Sequence, residues 1–373
     1  MTPTRMSAIA VAAAAAVACQ DPVSSPSSPA PPPPAPVVAA PAVAAAPEPP
    51  RGPPKVIVMD EPVIALPHQE SFKLLDRGKG ARAMLRYAPG AGTSAVMARS
   101  ALTSRHLDRG AFSRPVALPA IRDGFEVAAA ADHPGRLALR AMTGAAAAAS
   151  PDADAYLAPW RTLLQGRAVT LDIDDRGAIG AIKFDDDPAG ATSVRARDEL
   201  VQRLLSLVVP LPDEPVGTGA SWRAVTILRQ GPAVAKQTAI YTLVARGPAR
   251  WKLKVKMQRV GQDQQITDPA LPPGTSSELI AMFRTLEGSV EIDPAVPLIA
   301  GGSLTVESRL HARLQLPGSA REPIEQMFED TGKISFARCR PLATHRAAAP
   351  APPRRRPAAA VALAACPDGF APR

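Results

Sequence analysis

From about Lys79 onward, apolar and polar residues alternate in segment after segment, and this period of two constrains the fold more than any other feature of the chain. Successive side chains of a strand point to opposite faces, so such alternation marks a sheet with one face buried and the other in water. In residues 303–316, Leu304, Val306, Leu310, Leu314 and Leu316 fall on one side, with Thr305, Glu307, Arg309, His311, Arg313 and Gln315 on the other. Trp251, Leu253, Val255 and Met257 alternate in the same way with Lys252, Lys254, Lys256 and Gln258. Similar runs lie near 81–88, 95–107, 124–131, 136–143, 222–228, 237–245 and 284–293. A one-sided, solvated face belongs to antiparallel sheet.

Two helical patterns interrupt the strands. Residues 152–165 follow Ser150-Pro151 and carry Asp152 and Asp154 in their first turn, where acids suit the helix dipole. Residues 193–209 place Val201, Leu204, Leu205 and Val208 on one face, and Pro210 stops them. Between the two, Val169, Leu171 and Ile173 alternate with Thr170, Asp172 and Asp174, and Asp175-Arg176-Gly177 turns the chain back into a hairpin. No strand–helix alternation of the parallel kind occurs. The expected fold is α+β: a large curved antiparallel sheet of about ten strands, in the manner of an open half-barrel, with two helices packed on one face.

The ends of the chain differ sharply from this middle. Arg5 precedes an apolar run from Ala8 to Val17, the layout of a secretory signal peptide. At about half of the roughly 20 residues needed to cross a bilayer, the run is too short for a membrane span. It ends in Ala16-Val17-Ala18-Cys19, which resembles a bacterial lipobox, with Ala16 where leucine is usual. That resemblance implies a signal peptide over 1–18, lipidation at Cys19 and a membrane anchor; the alternative is ordinary cleavage that leaves Cys19 an incidental thiol. From Pro22 to Pro54, 14 of 33 residues are proline and none is aromatic. Such a segment cannot bury a core, and residues 19–54 are expected to form an extended tether with a reach of up to roughly 100 Å. Gln20 after the cysteine, by likeness to the lipoprotein sorting rule, implies the outer membrane. Residues 55–345 then form a single β-rich domain, and 346–373 a disordered basic tail of alanine, proline and arginine.

The formal charge of +9 disperses once it is located. Arg5 leaves with the signal, the tail carries much of the excess, and 55–345 holds +5 spread over its length. With only 14 aromatic residues there is no stacking platform either, and nucleic acid is not an expected partner. Three cysteines are an odd number for an oxidising compartment. If Cys19 takes lipid, Cys339 and Cys366 remain as one pair, or as two separate thiols.

Residues 210–222, Pro210-Leu211-Pro212-Asp213-Glu214-Pro215-Val216-Gly217-Thr218-Gly219-Ala220-Ser221-Trp222, together with the preceding acidic hairpin, resemble a family of uncharacterised exported bacterial proteins with a P-x-P-x-x-P-V-G-x-G-x-x-W segment. The family implies no particular activity. Strand count and helix placement are similar, at the level of fold alone, to the half-barrels of periplasmic lipoprotein carriers.

Motifs for chemistry are sparse. Asp172, Asp174 and Asp175, with Asp185, Asp186 and Asp187, form an acidic cluster, but an EF-hand starting at Asp172 would meet Arg176 and Lys183 at its fifth and twelfth positions. Gly217-Thr218-Gly219 lacks the third glycine of a dinucleotide fingerprint and leads into a strand. His68, His106, His133, His311 and His345 are scattered, and the motifs of hydrolases, P-loops and zinc proteases are missing. Lys252, Lys254 and Lys256 make a cationic row on one strand face, suited to an anionic group or simply to water. No catalytic, metal or cofactor-binding residue and no cofactor are assigned. The expectation is a non-enzymatic, exported envelope protein, lipid-anchored through Cys19, whose concave sheet receives an apolar ligand or an envelope partner protein; the alternatives are a structural or assembly role with a closed core and, behind it, an unrecognised hydrolase.

Overall fold

The computed structural model describes residues 68–339, other than 91–92, 109–110, 130–134, 146–157, 159–165, 185–199, 231–232, 267–273, 319–321. The expectations for the signal peptide, Cys19, the tether, the tail and Asp185–Asp187 lie outside the described residues, as does nearly all of 152–165, of which Ala158 alone is described, in helical conformation.

In chain order the strands are β1 (His68–Asp76), β2 (Lys79–Ala83), β3 (Thr93–Asp108), β4 (Ala111–Phe112), β5 (Val116–Ala117), β6 (Ile121–Ala129), β7 (Arg136–Ala145), β8 (Ala168–Ile173), β9 (Ile179–Phe184), β10 (Val216–Thr218), β11 (Ser221–Gln230), β12 (Ala233–Arg246), β13 (Trp251–Ile266), β14 (Ser276–Asp293), β15 (Val296–Gln315) and β16 (Ile324–Cys339). One helix, α1, spans 200–207 among the described residues. The expected class of a large antiparallel sheet is therefore observed. The count is not: among the described residues fourteen strands share one sheet, and β10 and β2 form a second. The expectation omitted β1, and it omitted β16 because adjacent Met327 and Phe328 and then Gly332 interrupt its alternation. Strands β4, β5 and β10 are two or three residues long, too short to show a period.

The main sheet joins two meanders. Its order is β1-β11-β12-β13-β14-β15-β16-β3-β6-β7-β8-β9, with β4 and β5 pairing β3. Every pairing is antiparallel, and the last strand, β16, lies beside β3, which merges the two runs. In β13 the alternation carries through: Trp251, Leu253, Val255 and Met257 are buried and the three lysines between them are exposed.

The sheet curls around its apolar face. A single core contains Phe125 and Leu139 from one end of the strand order, Tyr241 and Leu253 from the other, and Leu200, Leu204 and Leu207 of α1. Curling brings strands close at glycines. Gly302, at φ +99°, stands where a Cβ would meet the Ser289 carbonyl oxygen at 2.3 Å, so only glycine fits. Among the described residues the two outer strands, β1 and β9, do not pair, and the sheet stays open along a seam.

A polar row divides the inner face. Thr226, Gln237, Arg259, Arg284, Ser308, Asp330 and Ser104 stand opposite one another in register across seven strands. Arg259 donates to the Gln237 side-chain oxygen at 2.7 Å, and Ser308 to Asp330 at 3.3 Å. Beyond the row lies a smaller apolar cluster of Leu228, Ala233, Ala235, Ile266, Leu279 and Met282, with Leu310 packed on it. The stripe of 303–316 is thus split: Leu304 and Val306 share the main core with Leu204, while Leu310 belongs to the smaller cluster.

Candidate functional site at the seam

The segment that fills the seam is the one with the P-x-P-x-x-P-V-G-x-G-x-x-W pattern. Helix α1 stops at 207, short of Pro210, which cannot continue it, and the carbonyls of the residues that follow need donors. Tyr87 supplies its hydroxyl to the Val209 oxygen at 2.9 Å, and Trp222 its indole N–H to the Pro210 oxygen at 2.7 Å. The Leu211 N–H donates to the Arg176 oxygen at 2.8 Å, which ties the connector to the β8–β9 turn, and Arg176 pairs with Asp213. Arg86 donates to the Pro212 oxygen at 2.9 Å and pairs with Asp175. Gly217 lies against β2, where a Cβ would meet the Lys79 oxygen at 2.2 Å, and Gly219 adopts φ +85°. Gly217-Thr218-Gly219 is accordingly the end of β10 and its turn into β11.

The β8–β9 turn docks by the same logic. Gly177 has φ +85°, and a Cβ there would approach the Val209 oxygen to 2.8 Å. Asp174 accepts from the N–H groups of Arg176 and Ala178 at 2.9 and 2.7 Å, stabilising its own turn. Asp172 pairs with Arg136 at 3.0 Å. These aspartates serve backbone and arginine.

Two adjoining clefts remain open at the seam. One, of about 100 Å³, lies between α1 and the inner face and is lined by Ile179, Leu205, Val208, Pro210, Ala224, Leu228 and Ala239, with Gln69, Thr226, Gln237 and Tyr241 as its polar groups. The other, of about 260 Å³, lies outside it between β1 and the connector, against Phe72, Leu211, Arg176 and Asp213. Gln69, Ala178 and Pro210 line both. Burial pushes the hydroxyls of Tyr87 and Tyr241 well above the ordinary phenol range, so both remain neutral donors. The site is two neighbouring clefts, the inner one apolar with neutral polar groups and the outer one bordered by one ion pair. Compared with known proteins, the chain matches no protein-family model and no curated protein.

The remaining candidates lie elsewhere. His106 Nδ1 and Ser113 Oγ are 3.1 Å apart, but that hydroxyl also accepts from the His106 backbone N–H at 3.0 Å, and neither residue lines the clefts. His311 Nε2 is 3.8 Å from Glu325, on another part of the sheet. Lys254 and Lys256 each approach Glu287 at 4.0 Å, and the cationic row is thereby matched by its neighbouring strand. Sequence reasoning missed Gln69, Phe72 and Ala178 because β1 was not recognised and a turn alanine carries no signal. Pro210 and Leu205 were visible, the first in the motif and the second on the helix stripe.

Proposed function

We propose that this is an exported, non-enzymatic envelope protein, lipid-anchored through Cys19, that holds an apolar ligand at the seam of its open barrel. The observation that carries the reading is the pair of adjoining clefts between the unpaired outer strands, the inner one lined mainly by apolar residues with neutral polar groups, the outer one bordered by Phe72, Leu211 and the Arg176–Asp213 pair. Ligand pockets usually run to about 300–1,000 Å³. Clefts of about 100 and 260 Å³ suit one slender chain, such as the end of a fatty acyl group, better than a compact ligand.

The test uses Ala178, which is exposed, sits on a turn and lines both clefts. Protein purified from its own envelope is expected to carry apolar mass in native mass spectrometry and to bind the neutral probe N-phenylnaphthylamine. Ala178→Trp is expected to block the mouth and abolish probe binding with little change in Tm. Wild-type protein that carries no ligand and binds no probe overturns the reading. A structural or assembly role is the second reading, favoured by the extent of the packed core, which takes up most of the inner face.

A further inference from the structure

The inner cleft has a polar end, and strand register places it. Thr226 of β11 stands opposite Gln69 of β1 on one side and Gln237 of β12 on the other, and all three line the cleft. The next inward pair along β11 and β12 is Ala224 with Ala239, and the pair after that is Trp222 with Tyr241. Two alanines between larger pairs leave a trough, floored by methyl groups and ended by Tyr241. Among the described residues no charged side chain lines this cleft.

Gln237 is 7% exposed, and its orientation is set from behind. Arg259 Nε and Nη2 both donate to its side-chain oxygen, at 3.3 and 2.7 Å. A guanidinium only donates, so the amide oxygen must face it. The amide nitrogen is thereby turned away from β13, toward the side where Thr226 and Gln69 stand. Among the described residues none accepts a hydrogen bond from that nitrogen. A cation bonded to the oxygen of an amide also polarises it and strengthens its N–H groups as donors. The cleft thus combines an apolar trough with an oriented donor at its polar end, the arrangement that suits an apolar chain ending in an acceptor.

Resting on the reading of the seam as a ligand site, we propose that Gln237 sets the chemistry of the ligand by donating its amide N–H to an acyl carbonyl oxygen, with the hydrocarbon chain lying on Ala224 and Ala239. Free fatty acids and the acyl esters of lipids share that oxygen. Arg259 acts as a positioning residue for Gln237, and the Thr226 hydroxyl stands beside the same oxygen.

The test uses the full chain loaded with N-phenylnaphthylamine, with decanoate, methyl decanoate and decane compared as displacers. Wild type is expected to prefer an oxygen-bearing displacer over decane by about tenfold, what one hydrogen bond contributes in an apolar site. Displacement by decanoate identifies a free acid, displacement by the ester alone identifies an esterified chain, and either supports the proposal. Gln237→Glu keeps a partner for Arg259 but replaces the donor by an acceptor, and the preference over decane is expected to vanish. A second readout needs no variant: the preferred displacer, isotope-labelled at its carbonyl carbon, is expected to show an infrared carbonyl stretch shifted by hydrogen bonding when bound to wild type. Wild type that binds the probe but ranks decane with the other two overturns this inference and leaves the apolar cleft standing. So does a preference that survives in Gln237→Glu, or an unshifted carbonyl stretch. Wild type that binds no probe removes the cleft reading, and this inference with it.

Discussion

Glu329 shows how charge is managed on the solvated face. Register places Arg309 of β15 and Arg105 of β3 on either side of it, and their Nε atoms donate to its two carboxylate oxygens at 2.7 and 2.6 Å. Burial alone would push this carboxyl up, but the Arg105 hydrogen bond and the charges of Arg309 and Arg105 outweigh that and hold it below the usual range. A carboxyl whose pKa is lowered by folding stabilises the fold above its unfolded value and loses that contribution as pH falls through the folded one. Because both arginines are substantially exposed, Glu329→Gln is expected to cost only about 1 kcal/mol near pH 7. The gap between the melts of variant and wild type should begin to shrink as pH falls through the ordinary glutamate range of about 4.3 and close only below the lowered folded value. A gap that persists in acid would mean that shape, not charge, sets the cost.

At the scale of elements, the connector from Pro210 to Trp222 joins parts of the chain that are distant in sequence. It follows α1, receives the β8–β9 turn, and pairs through β10 with β2. Trp222 is fully buried, stacks on Tyr241 at 5.9 Å between ring centroids, and donates its indole N–H to the Pro210 carbonyl of the connector. Trp222→Phe keeps most of the apolar volume and removes the donor, leaving the Pro210 carbonyl short of a partner. The expected cost is about 1–3 kcal/mol, read as a shift of the denaturant midpoint at unchanged m-value. An unchanged midpoint would mean that the bond contributes nothing. The motif was legible as punctuation, since proline and glycine mark turns; that its tryptophan reaches back twelve residues to the Pro210 carbonyl depends on the sheet that positions it.

For the molecule as a whole, the question is how the curled sheet divides its inner face between core and cleft, and two adjacent leucines of α1 separate the possibilities. Leu204 is fully buried in the main core, whereas Leu205 is partly exposed and lines the inner cleft. Leu204→Ala is expected to cost about 2–5 kcal/mol whether or not ligand is present. Leu205→Ala is expected to cost roughly 1 kcal/mol or less and to change the bound apolar mass and the probe affinity. If Leu205→Ala destabilises as strongly as Leu204→Ala and leaves the probe untouched, the seam is core and the structural role stands. Arg203 adds a polar tether between α1 and the sheet through its pair with Asp123; burial lowers its guanidinium to about 10, still charged at neutral pH.

Local periodicity by itself determined that this chain makes antiparallel sheet and a helix that stops before Pro210, because a strand or helix records in nearby residues which of its faces is buried. It placed the boundaries of β13 to within a residue or two at the start, and it put Leu204 and Leu205 on one apolar stripe. Tertiary structure alone decided that β16 lies beside β3, that the two outer strands stop short of pairing, and that Leu204 meets core while Leu205 meets a cleft. Those outcomes rest on pairings between residues more than two hundred positions apart, such as Met97 with Ala337. No local pattern encodes which distant strand will be a neighbour, so the seam and the clefts that carry the proposed function become visible only when the whole sheet has curled.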